Sequence, residues 1–172
     1  MTLKIVLSLI LLSGLGHFTA QEPIVSEKKA LKEISKALNE KDLTITGQIN
    51  VLDNSNRKEP ITIYSVVSQG NKNPIYAAFT RAKGRHDYFD YLLVTTNDYK
   101  VERVKIVQYR SEYGGQIASK RWLRQFENYS GGNLRYKKEI TALSGATISA
   151  AALTSDIPEV LKFMKESSSV TK

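Results

Sequence analysis

Five runs of strand character follow one another with no helical pattern between them, and this succession constrains the fold more than any other feature. They cover residues 43–49, 61–67, 75–80, 88–94 and 101–108 and are rich in Val, Ile, Thr and Tyr. Turn-forming clusters separate them: Asp53-Asn54-Ser55-Asn56, Gly70-Asn71-Lys72-Asn73-Pro74, and Asn97-Asp98. Neighbouring strands without a crossover helix pair antiparallel, so the expected class is α+β, with an antiparallel sheet and packed helices in a single domain. The run Tyr88-Phe89-Asp90-Tyr91-Leu92-Leu93-Val94 is apolar on both faces and belongs in the sheet interior. With 101–108 it forms a hairpin.

Helical patterns flank the strands. Ser26 can cap a helix reaching about Asn39, in which Ala30, Leu31, Ile34, Ala37 and Leu38 form one apolar stripe. Lys28, Lys29, Lys32 and Lys36 lie on the other side; without Trp or Phe in the stripe, core packing is favoured over a membrane anchor. At the other end Leu153, Ile157, Val160, Leu161 and Met164 recur at helical spacing and should dock on the sheet. Pro158 should kink or divide this helix, with Asp156 capping the second part. Residues 167–172 read as a loose tail.

No cysteine is present, so the fold must stand on its core, without disulfides. Residues 1–20 have the form of a signal peptide: Lys4, then an apolar stretch from Ile5 to Leu15, then a cleavage site near Ala20, with a cut after Gly16 or a retained N-terminal anchor as the alternatives. The expected organisation is therefore leader 1–20, a helix and strands over 21–84, a site-bearing region 85–166 of the same compact unit, and the tail. Outside the leader His86 is the only histidine, which argues against a zinc or haem site, and it reads as a loop or strand-edge residue. The net charge of +8 is dispersed along the chain with no nucleic-acid-binding pattern. An exported address also speaks against nucleic acid, so the charge is read as solubility plus local attraction for phosphate.

The chemistry concentrates in Ser144-Gly145-Ala146-Thr147-Ile148-Ser149-Ala150, directly before the C-terminal helical pattern. Gly145 and Ala146 admit close approach of a bulky anion, and the first-turn N–H groups and helix dipole favour a phosphate. Ser144, Thr147 and Ser149 add hydroxyls. The plainer alternative is that Ser144 or Thr147 simply caps the helix. Upstream, Gly114-Gly115 suggests close backbone approach beside Tyr113. Trp122 and Phe126 fall on one face of a short helical segment; Phe126 reads as core, while Trp122 and Tyr113 read either as core or as contacts of a ring-bearing ligand.

The order Ser144-Gly145-Ala146-Thr147 followed by Ile148-Ser149 resembles the flavinylation motif of the FMN-binding domain family. Glu112-Tyr113-Gly114-Gly115-Gln116-Ile117 and Trp122-Leu123-Arg124-Gln125-Phe126 resemble that family's glycine-containing loop and its segment ending in Gln-Phe. The likeness spans residues 85–165. It implies FMN bound as a phosphoester on Thr147, with Ser144, Gly145, Ala146, Ser149, Tyr113, Gly114 and Gly115 around the cofactor. It further implies a separate exported FMN transferase, since no activating His or Lys stands beside Thr147 in the sequence. Redox donor and acceptor, one of which can be membrane-bound, would complete a periplasmic electron carrier. The rival expectation is a cofactor-free exported structural or binding module of the same fold, with a lapsed or only noncovalent FMN site, and it draws on Thr141, which stands where the family often has an acid. A self-sufficient hydrolase is disfavoured for want of a Ser-His-Asp or metal arrangement.

Overall fold

The computed structural model describes residues 23–51 and 59–169. The leader and the Asp53-Asn54-Ser55-Asn56 turn lie outside the described residues, as do 170–172. Helix α1 (Glu27–Leu38) is followed by β1 (Leu43–Val51), β2 (Ile61–Ser68), β3 (Asn71–Lys83), β4 (Tyr88–Thr95) and β5 (Val101–Gln108). Two 3-10 turns, Gly115–Ala118 and Arg124–Phe126, bracket the short helix α2 (Lys120–Leu123), and α3 (Thr147–Ser169) closes the chain. The five strands pair in sequence order, each antiparallel to the next. The α+β class and the hairpin of β4 with β5 stand as read from the sequence.

Alternation along the strands divides the core into two layers. Tyr64, Phe79, Leu92 and Val94 face one side, where Ala30 and Ile34 of α1 cover them. Phe89, Tyr91 and Leu93 face the other, against Leu153, Ile157, Val160 and Met164 of α3 and Trp122 and Phe126 of the connecting segment. Strand β4 feeds both layers, which is why its sequence is apolar on both faces apart from Asp90, which pairs with Arg110. The lysine side of α1 stays exposed, and Asn39 ends the helix with φ 56°, a conformation asparagine tolerates. Across the sheet edge Lys105 Nζ donates to Glu33 Oε2 at 2.6 Å. Burial works to raise the Glu33 pKa, but Lys105 prevails and holds it below its ordinary value.

Four expectations are corrected. Strand β3 begins at Asn71, inside what reads as a turn. Pro74 is accommodated because β3 pairs with β4 only from Tyr76 onward, and the β2–β3 register shifts between Val66 and Ser68 opposite it. Pro158 does not divide α3, which runs through it to Ser169, because buried Ile157, Val160 and Leu161 anchor both sides. Asp156 lies within the continuous helix rather than at a second N-cap, and its carboxylate accepts the Tyr91 hydroxyl at 2.6 Å. The start of the supposed tail, residues 167–169, is helical.

Candidate functional site

An open cleft of about 320 Å³ lies at the N-terminus of α3. Three loops meet there: Gly84–Asp87 between β3 and β4, the segment after β5, and the turn before α3. Its lining brings together Tyr113, Gly114, Gly145, Ala146, Thr147 and Ser149, six of the eight residues singled out in the sequence. Ser144 is exposed and flanks the cleft without lining it. Gly115 begins the 3-10 turn and faces open space. Trp122 is drawn away from the cleft altogether. Its buried indole N–H donates to Thr141 O at 2.9 Å and its ring meets Phe126 edge-on at 5.2 Å, so its role is core packing.

Backbone conformation explains both lining glycines. Gly145 has φ 79°, and a Cβ there would stand 3.0 Å from the Gln116 side chain. Gly114 has φ 90°, and a Cβ would fall 2.5 Å from the Tyr109 hydroxyl. Left-handed conformations of this kind favour glycine, and the packing independently excludes a side chain. A third glycine, Gly84, lets the β3–β4 loop approach α3, since a Cβ there would lie 3.1 Å from Ser149 Oγ.

The cleft floor is a defined hydrogen-bond chain. Tyr109 donates its hydroxyl proton to Tyr113 O at 2.9 Å, so Ser149 Oγ, 3.0 Å away, must donate to Tyr109. Ser149 is buried, and this bond accounts for its hydroxyl. Thr147 and Tyr113 differ: Thr147 is exposed and Tyr113 is 78% exposed. A large aromatic side chain left in solvent beside a cleft offers a flat surface to a ligand.

Capping, the plainer alternative, is not realised. The carbonyl of Ala146 accepts the first helical bond, from Ala150 N at 2.8 Å, which makes alanine the N-cap. Alanine has no side-chain acceptor and ranks among the poorest residues there. Neither Ser144 nor Thr147 makes a side-chain hydrogen bond among the described residues, and no described group accepts from the N–H of Thr147, Ile148 or Ser149. The first turn of α3 carries no acidic residue. Its positive end therefore points uncompensated into the cleft.

Sequence reasoning missed Arg85, His86, Tyr109 and Ser111, all of which line the same cleft. His86 is an exposed loop residue, as expected, but the fold sets it on the rim with Thr147. The absence of histidine near Thr147 holds in sequence and not in space, although no hydrogen bond joins the two. The signal that could have found the pair is Gly84-Arg85-His86, a glycine followed by an arginine and a histidine between strands. Only the docking of Gly84 on Ser149 shows where it belongs.

The two segments upstream of the motif are joined to it physically. Thr141 donates both its N–H, at 2.8 Å, and its hydroxyl to Gln125 Oε1, while Gln125 Nε2 donates to Trp122 O at 3.1 Å. Leu143 N donates to the Tyr136 hydroxyl at 2.9 Å, and Gln116 packs beneath Gly145. Glu139, the nearest acid, is engaged by Arg135 at 2.6 Å, whose guanidinium holds its pKa down to about 2. Compared with known proteins, the chain matches no protein-family model and no curated sequence.

Proposed function

We propose that this chain is an exported electron-transfer flavoprotein that carries FMN as a phosphoester on Thr147. The observation that carries this reading is the alanine-capped start of α3, where three first-turn N–H groups and an unengaged threonine hydroxyl open on one cleft. These residues fit a phosphate-bearing aromatic group. The N–H groups of Thr147 to Ser149 and the Arg85 guanidinium would hold the phosphate. Gly145 and Gly114 keep the approach clear, and the exposed ring of Tyr113 would lie against the flavin. Bound FMN supplies reversible electron uptake, while the protein fixes its place and tunes it with nearby cations.

Attachment replaces the Thr147 hydroxyl proton with the phosphorus of FMN. With FAD as donor, its pyrophosphate bond breaks, AMP departs, and the proton passes to a base of the attacking enzyme. That base belongs to a separate FMN transferase, since no described group hydrogen-bonds Thr147 Oγ. A periplasmic address and an unidentified redox donor and acceptor complete the proposal. The second reading, a cofactor-free module, is favoured by one observation: Thr141 is committed to Gln125 and supplies no carboxylate to a modifying enzyme. Co-expression with an FMN transferase, followed by a denaturing gel under ultraviolet light, separates the two. Fluorescence that survives denaturation and disappears in Thr147→Ala is the expected result; a dark band beside a fluorescent control domain contradicts it.

A further inference from the structure

A second concavity, independent of the flavin reading, follows the outer edge of β5. Its volume is about 670 Å³, and its floor is apolar: Val104 and Ile106 of β5, Leu123 of α2 and Ala37 of α1. Strand β5 pairs with β4 on one side only. Its other edge is bonded to Asn128 and Tyr129 at Val101, and from Arg103 to Gln108 it meets no backbone partner among the described residues. The groove therefore offers a row of strand donors and acceptors above an apolar floor, walled by α1 and α2.

Its rim is cationic. Lys36, Arg103, Lys105, Lys120 and Arg124 surround it, with Glu127 as the acid of the lining. Arg103 is engaged by Glu127 and Lys105 by Glu33, whereas exposed Lys120 and Arg124 have no acidic partner among the described residues. Charge on an edge strand commonly guards against self-pairing. Guarding alone does not require an apolar trough beside the strand. A second copy is a poor occupant, because pairing β5 with β5 would bring Arg103 and Lys105 of both chains together. A flat anionic membrane does not reach the floor of a groove held between two helices.

We propose that the β5 edge is a docking site for an extended segment of another protein that alternates acidic with apolar side chains. The segment adds as a sixth strand, its apolar side chains on the face of Val104, Ile106 and Leu123 and its carboxylates on the opposite face, toward Lys36 and Lys105 beside α1. The probe is an end-blocked octapeptide alternating glutamate and valine, titrated into the isotope-labelled full chain and followed by NMR and amide exchange. Saturable shifts centred on Arg103 to Gln108, with slowed exchange of those amides, are expected. The K36E chain should bind about fivefold more weakly, and a lysine-valine octapeptide should not bind. Absence of binding at millimolar peptide, shifts centred elsewhere, or equal binding of the lysine peptide would overturn the proposal. So would capture of the chain by phosphatidylglycerol vesicles without peptide binding, or self-association through β5.

Discussion

The two long helices of this protein begin in opposite ways. Helix α1 starts behind Ser26, with Glu27 in its first turn and Val25 buried just before it. An acid at that position complements the helix dipole, although the Ser26 hydroxyl itself makes no capping bond. Helix α3 starts behind Ala146, has no acid in its first turn, and faces Arg85 and His86 across a cleft. Helix α1 buries Ala30 and Ile34, whereas α3 buries Leu153, Ile157, Val160, Leu161 and Met164, so the open start of α3 belongs to the better anchored of the two helices. One start complements its own charge, and the other leaves positive potential for something else to meet.

Substitutions can break this contrast at several depths. The largest effects belong to the shared feature: Ile34→Ala and Leu153→Ala should each cost about 2–5 kcal/mol in chemical denaturation. Only Leu153→Ala should also lower flavin attachment, because it loosens the helix that presents Thr147. Next is Gly145→Ala, which forces a side chain at φ 79° against Gln116 and should cost about 1–2 kcal/mol together with attachment. A smaller pair reverses the signs of the two starts. Thr147→Asp places an acid at the uncompensated N-terminus and should stabilise by about 0.3–1 kcal/mol, while Glu27→Gln should destabilise by a similar amount. Destabilisation by Thr147→Asp would show that the α3 start is already satisfied.

The smallest effect concerns pH. The Glu139 carboxyl is depressed to about 2 by Arg135, so its contribution is in place above the ordinary carboxylate pKa and is lost as pH falls through about 2. Carbon-detected NMR titration of Glu139 checks this, and Arg135→Gln should return the midpoint to the ordinary range.

The sheet was legible because its signals are local. Alternation, turn clusters and the doubly apolar β4 each report on a few neighbouring residues, and strand order follows from short connections. Pro158 and Pro74 misled for a tertiary reason: burial of Ile157 and Val160 outweighs the lost helical hydrogen bond, and a register shift accommodates the strand proline. The motif was legible as a string, down to Thr147 and Gly145. Its surroundings were not. Arg85 and His86 reach the cleft only because Gly84 fits against Ser149, and Trp122 leaves it only because its indole bonds Thr141. Contacts between loops far apart in sequence leave no periodic trace.

The central claim is that the open start of α3 exists to carry an esterified flavin on Thr147. Its most direct test is the intact mass of the exported chain after exposure to an FMN transferase and FAD, with fragment masses to locate the addition. The account predicts a gain of one esterified FMN per chain, carried by the fragment containing Thr147 and absent from Thr147→Ala. An unmodified mass under conditions that flavinate a control domain, or an addition placed on Ser144 or Ser149, would contradict it.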